Sequence, residues 1–233
     1  MKIKYDENGD ARMDTALTAI ALFLAAMMVI GFTSSPVATG TKEGERAPNI
    51  VGKAYNGSGW QDFDLQSYYD YEWDIENNDT KDSQWVMIEF MDTDCPYCFN
   101  SAQEYQDAST FFTPNPNNPN WKGPHVSFIA SATELTGLNG HDSSRAEIEA
   151  FRDKTEGEMC NSGNVDCSSR DGSPYSIPFI DDLDKTSMDN WKIGGTPAYF
   201  LIQPDGIIAW ASHEHQEEKF HEAIIRLVPQ DGE

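Results

Sequence analysis

Cys95-Pro96-Tyr97-Cys98 places two thiols three positions apart, directly behind the apolar run Trp85-Val86-Met87-Ile88-Glu89-Phe90. A strand that delivers Cys95 to a helix start aims free N–H groups and a positive dipole end at its sulfur, which favours thiolate over thiol. Pro96 suits the first helical position, where a missing N–H is no loss. Cys98 then falls on the same helix face, within reach of a disulfide. The chemistry this implies is thiol–disulfide exchange. Zinc sites use the same spacing but usually need a second close pair. The remaining cysteines, Cys160 and Cys167, have six residues between them in a Gly/Asn/Ser-rich loop. No strand-to-helix turn activates either of them, so a structural disulfide is the expectation there rather than a second relay. Glu89 is a further candidate, because an acid in an apolar strand is costly unless it functions or faces water at an edge. Asp92 and Asp94 bring negative charge close to the nucleophile, which predicts that Asp94 raises the Cys95 pKa.

These residues need elements to position them. Asn49 to Tyr55 and Gly59 to Leu65 read as strands around the turn Asn56-Gly57. Residues 66–84 are acidic and aromatic and read as an inserted loop or short helix. Their aromatic side chains suit the filling of a core edge more than a partner surface. Trp85 to Met91 is a buried strand, and Cys95 to about Thr110 a helix. Residues 113–124 hold four prolines and four asparagines and form a surface excursion. Val126 to Ala130 is a second central strand. Ser144 caps a helix to about Lys154, with Glu147 at the capping-box position. Asp184 to Trp191 is a short helix. Ala198 to Ile202 and Gly206 to Trp210 form a hairpin around Pro204-Asp205-Gly206. Glu217 to Val228 closes the chain as an amphipathic helix. Strands that alternate with helices and end in a hairpin imply an α/β layer fold with a mixed sheet.

In that order, Ala47-Pro48 before a strand, the strand leading into Cys95-Pro96-Tyr97-Cys98, and Gly195-Thr196-Pro197 before Phe200-Leu201-Ile202 and Pro204-Asp205-Gly206 resemble thioredoxin-like proteins. The membrane-tethered, extracytoplasmic branch called TlpA-like or redoxin-type is the nearest in look, over roughly residues 47–228. The resemblance implies a thioredoxin-like fold, a central mixed sheet flanked by helices. It implies Cys95 as nucleophile, Cys98 as resolving thiol, and Glu89 as a buried acid that ferries a proton for Cys98. It further implies a cis Thr196-Pro197 peptide beside the dithiol, where Thr196, Pro197, Pro96 and Tyr97 would meet the substrate. The chain departs from the family at Asp94, where Trp is usual. No cofactor or metal is implied. The alternatives are metal (copper) delivery through His213, His215 or His221, and a redox-inactive binding module of the same fold.

The rest of the chain bounds the setting. Sixteen Lys and Arg against 39 Asp and Glu give a formal charge of −23. No basic field is available for nucleic acid. From Thr15 to Thr41 no charged residue occurs, and the apolar core runs from Ala16 to Phe32. At about 1.5 Å per residue such a helix with its flanks just crosses a ~30 Å hydrocarbon layer, as a signal anchor or as a signal peptide cleaved near Ala38-Thr39-Gly40; the long acidic lead with Asp6, Glu7, Asp10 and Asp14 favours the anchor. The organisation expected is a tail over 1–14, a transmembrane signal anchor over 15–32, a linker over 33–46 and one thioredoxin-like domain over 47–233. Cysteine pairs favour a globular part outside the cytoplasm. Asn56-Gly57-Ser58 and Asn78-Asp79-Thr80 fit glycan acceptors there. The partners expected are protein thiols or disulfides, a protein that recharges the dithiol, and the membrane through the N-terminal helix.

Overall fold

The computed structural model describes residues 7–33, 37–73, 84–114, 118, 120–135 and 141–230. The Asn78-Asp79-Thr80 triplet, most of the acidic stretch before Trp85 and part of the Pro/Asn-rich excursion lie outside them. The chain divides into two compact units, Met1–Ala38 and Thr39–Glu233. The first contains the helix α1, Glu7–Thr33. Side chains of α1 are described for residues 15–29, and Leu17, Ile20, Leu22, Phe23, Leu24, Met27, Met28 and Val29 are all more than half exposed. Among the described residues no helix is long and apolar enough to cross a membrane.

The second unit is built on a seven-stranded mixed sheet. Its strands are β1 (Val51–Tyr55), β2 (Trp60–Asp64), β3 (Trp85–Met91), β4 (Val126–Thr133), β7 (Phe179–Asp182), β8 (Ala198–Ile202) and β9 (Ile208–Ala211); β5 (Met159–Cys160) and β6 (Val165–Asp166) form a separate small hairpin. Across the sheet the order is β2-β1-β7-β4-β3-β8-β9. β3 runs parallel to β4, β4 parallel to β7, and β8 antiparallel to β3. Helix α2 (Pro96–Phe111) makes the crossover between β3 and β4, and α3 (Arg145–Asp153), α4 (Thr186–Asn190) and α5 (Phe220–Leu227) follow in chain order. This is an α/β fold of thioredoxin-like layout.

All seven residues of β3 and all eight of β4 are buried, as parallel strands covered on both faces must be. Period-two alternation sorts them. Val86, Ile88 and Phe90 enter one core with Ile129, Trp191, Phe200 and Ile202. Trp85, Met87 and Met91 enter the other with Tyr105, Phe128, Phe151 and Leu201. Burying each such side chain contributes about 1.5–3 kcal/mol. Glu89 stands on the face of Trp85, Met87 and Met91, beneath α2.

Three boundaries differ from the sequence reading. Residues 39–46 are not free linker: Gly44 N–H donates to Ile208 O, Ile208 N–H to Glu45 O, and Ala47 N–H to Gly206 O, so this segment lies along the β8–β9 hairpin. The α5 helix starts at Phe220, because residues 213–219 form turns before it. β7 carried no clear signal in the sequence; its Phe179-Ile180 pair is too short to stand out after the Gly/Ser-rich loop. The aromatics before Trp85 do fill a core edge: Trp73 packs edge-on against Trp85 at 5.8 Å, and Tyr68 lies 5.8 Å from Phe63. Tyr71 of the same stretch is exposed.

Candidate active site

The local sequence explains where Cys95 ends up. β3 ends at Met91, and Cys95 N–H donates to Asp92 O at 3.0 Å, closing a turn. Cys95 is the N-cap of α2, Pro96 follows at the start, and Phe99 N–H donates to Cys95 O at 3.0 Å as the first helical bond. Cys95 is half-buried, Cys98 is buried, and both are free thiols. Tyr97 between them is 73% exposed.

The two thiols differ sharply. The Cys95 pKa is lowered to about 5, first because the Cys98 thiol donates to its sulfur, with partial burial opposing. Thr196 and the backbone N–H groups of Cys98 and Tyr97 add to the lowering. As a thiol, Cys95 donates to Thr196 O at 3.3 Å. As a thiolate, it can accept from the Thr196 hydroxyl, which has no other partner. The Thr196-Pro197 peptide is cis. Cys98 is pushed the other way, well above the usual thiol value, by burial, then by its bond to Cys95 and the nearby Glu89 charge.

Glu89 does not face water. It is 2% exposed in a central strand, and burial raises its pKa to about 8. Tyr199, its direct cross-strand partner on β8, donates to Glu89 Oε1 at 3.2 Å and lowers it somewhat. Tyr199 Oη is also 3.4 Å from Ser101 Oγ on α2.

Asp94 sits differently from the sequence expectation. Its carboxylate turns away from the nucleophile: His141 Nδ1 is 2.6 Å from Oδ2, and Gly163 N–H donates to Oδ1 at 3.1 Å. Asp92 is likewise occupied, accepting from Asp94 N–H at 2.8 Å and Leu135 N–H at 3.0 Å. The side chains of both acids are thus engaged by backbone and histidine groups, although the Asp92 carboxyl still feels the Cys95 charge.

Glu147, expected in a capping box, keeps half of it. Its N–H donates to Ser144 Oγ at 3.2 Å, while its carboxylate accepts a short bond from the Thr93 hydroxyl. Burial raises its pKa to about 7. Asp94, His141 and Glu147 are the one group of potential metal ligands that converge among the described residues, within 4.8 Å of one another. The histidines raised for metal delivery do not converge: His215 pairs with Glu43 at 2.6 Å, His221 with Glu104 at 3.2 Å, and His213 packs against Phe200.

Cys160 and Cys167 are joined as a disulfide, both fully buried. Their loop reaches the active-site turn. Asn161 N–H donates to Thr93 O at 3.0 Å and Ser162 Oγ to Asp94 O at 3.2 Å. A cleft of about 740 Å³ opens beside Thr196-Pro197, lined also by Ala198, Tyr199, Trp191 and His213.

No known protein family matches this chain. No curated protein does either. Solved structures do. A 2-Cys peroxiredoxin of Plasmodium vivax is 13% identical with a TM-score of 0.43, covering 72% of this chain and 82% of that one. The MTB dsbF structure is 15% identical with a TM-score of 0.41, over 68% and 80%. The thioredoxin domain of a thiol-disulfide oxidoreductase from Bacteroides vulgatus is 14% identical with a TM-score of 0.43, over 79% and 94%. At such identities no activity carries over, and the site is argued from this chain's own residues.

Of the residues singled out in the sequence, Cys95, Cys98, Pro96, Tyr97, Thr196, Pro197 and Glu89 gather around one turn. Cys160 and Cys167 stand behind it as its support. Sequence reasoning missed Tyr199, Ser101 and His141. Tyr199 had a signal: two residues after Pro197, in a strand paired with β3, alternation places it on the Glu89 face. His141 had none, because only the fold brings it to Asp94.

Proposed function

We propose that this protein is a thiol–disulfide oxidoreductase acting on protein thiols or disulfides, held at the outer face of a membrane by its N-terminal helix. The observation that carries the catalytic part is the asymmetry of the two free thiols. Cys95, half-exposed with its pKa near 5, is a thiolate at neutral pH; Cys98, buried and raised, is held as a thiol until it is needed. The Cys95 thiolate attacks a substrate disulfide, forms a mixed disulfide, and releases one substrate thiolate. Cys98 then gives up its proton to Glu89 in its carboxylate form, the minority form at pH 7 with a pKa of about 8, and attacks Cys95 Sγ; the step therefore speeds up as pH rises toward 8. The Cys95–Cys98 disulfide forms, the second substrate thiolate leaves, and two electrons have passed to the substrate. The reverse sequence oxidises a dithiol. Exposed Tyr97, with Pro96, Thr196 and Pro197, forms the face that a substrate meets.

The test is a pH titration of alkylation on the reduced protein. Cys95 reacts with iodoacetamide with a midpoint near pH 5, while Cys98 stays protected in the folded state. Midpoints for both near the ordinary ~8.5 of a free thiol would leave no activated nucleophile and end the reading.

The membrane part rests on the uncharged run from Thr15 to Thr41, which is longer than the 15–29 segment of α1 whose side chains are described, a segment too short by itself to span, and on the exposed apolar side chains within that segment. The full chain partitions into the membrane fraction and resists alkaline carbonate extraction, whereas a chain starting at Thr39 does not. Release of the full chain by carbonate would remove the anchor from the reading.

A further inference from the structure

Resolution by Cys98 requires a proton to leave a site with little access to water. Glu89 is 2% exposed and Cys98 1% exposed, so a proton received by Glu89 must be passed on through protein groups. The structure supplies one chain of hydroxyls for this. Glu89 Oε1 is 3.2 Å from Tyr199 Oη, Tyr199 Oη is 3.4 Å from Ser101 Oγ, and the Ser101 hydroxyl donates to Cys98 O at 3.3 Å. Ser101 and Tyr199 are only partly buried, and Tyr199 lines the cleft beside Thr196-Pro197. The other hydroxyl beside Glu89, that of Tyr105, leads nowhere: it donates to the backbone oxygens of Met87 and Ile129 at 3.0 and 2.9 Å.

We infer that Tyr199 and Ser101 are positioning residues that carry the resolving proton between buried Glu89 and solvent. This rests on the dithiol reading above. When Glu89 is a carboxylate, Tyr199 donates to it. When Glu89 takes the Cys98 proton, the bond reverses: Glu89 donates to Tyr199, Tyr199 donates to Ser101, and the partly exposed Ser101 hydroxyl turns from Cys98 O to donate to water. The sulfur chemistry is unchanged: the Cys98–Cys95 bond forms, the bond from Cys95 to substrate breaks, and the electron pair leaves on the substrate sulfur. Running the chain backward returns a proton to Cys98 when the disulfide is reduced.

The groups that face Glu89 are Cys95, Cys98 and Tyr105 of α2, Tyr199 of β8, and Tyr175 from the segment before β7. All are neutral near pH 7 except the Cys95 thiolate, and that charge is consumed in the mixed disulfide. The titration seen during resolution is therefore that of Glu89 with Cys98.

The experiment mixes reduced protein with the aromatic disulfide dithionitrobenzoate and follows the coloured thiolate by stopped flow. A first release reports attack by Cys95, and a second reports resolution by Cys98. Tyr199→Phe and Ser101→Ala should leave the first phase at the wild-type rate and slow the second about tenfold, less than the ~10²-fold or more that a complete general base contributes. Tyr199→Phe also removes the bond that holds Glu89 down, so its second-phase pH profile moves to higher pH; Ser101→Ala, which does not touch Glu89, leaves the profile in place. Tyr105→Phe leaves the second phase unchanged. Wild-type second phases in both variants would overturn the inference, as would equal slowing of both phases, which marks a structural role. A wild-type protein with no first phase would instead remove the dithiol reading itself.

Discussion

Cys95→Ser is expected to abolish disulfide exchange, and Cys98→Ser to leave the protein covalently joined to what it attacks. The first follows from the acidity of the nucleophile. A thiol lowered to about pKa 5 is ionised at pH 7, whereas a serine hydroxyl in its place is not, and oxygen does not undergo the exchange. Turnover should drop to background, on the order of 10⁴-fold or more, as for other covalent nucleophiles. The second follows from burial. Once Cys95 is tied to a substrate sulfur, Cys98 is the thiol next to it, placed within hydrogen-bond reach of Cys95 Sγ and shielded from solvent. With serine there, resolution waits for an external thiol. Mass spectrometry under non-reducing conditions, with a disulfide-bearing peptide as probe, should show a one-to-one adduct on Cys98→Ser and none on Cys95→Ser. Full exchange activity in Cys95→Ser would exclude the proposed chemistry.

How far that site could be read before the fold was known depended on the range of each interaction. Cys95, Pro96 and Cys98 are local: a strand end, a proline and a helix start share a dozen residues, and their pattern fixes their geometry. Glu89 was visible for the same reason, as the one charge in an apolar run. β3, β4 and the β8 strand were legible from continuous apolar stretches, and β7 was not, because four residues give too little periodicity. Asp94 shows the limit most clearly. Adjacency in sequence suggested repulsion of the Cys95 thiolate. What the sequence did not show is that His141 and Gly163, 47 and 69 residues away, capture the carboxylate. Likewise Thr93 turned Glu147 from a helix cap into a buried partner of the active-site turn. Short-range chemistry was readable, and the partners that retune it were not.

Removing the Cys160–Cys167 bridge should cost stability without ending turnover. The loop it closes is short, with a sequence separation of 7, and chain entropy for such a loop gives about 2.5 kcal/mol at 25 °C. For a unit of this size that corresponds to a fall in Tm of about 5–10 °C. A second contribution works partly against this, which puts the expected fall toward the lower end of that range. Asn161, Ser162 and Gly163 all adopt positive φ, at 53°, 61° and 66°. For the two non-glycine residues this conformation costs roughly 1–2 kcal/mol each. What holds them is the bridge on either side and their bonds to Thr93 and Asp94. Without the bridge the loop can relax, and Gly163 can release Asp94. The Cys95 turn, still held by Leu135 N–H on Asp92 and by the first bond of α2, should keep its thiolate. The expected result for the double variant Cys160→Ser/Cys167→Ser is therefore a lowered melting temperature, retained exchange through Cys95 and Cys98, and faster hydrogen exchange at Gly163. Both sulfurs are fully buried, out of reach of an attacking thiolate, which is the physical reason to expect a support rather than a relay. Loss of turnover at unchanged melting temperature would reverse that assignment and place the second pair in the path of the electrons.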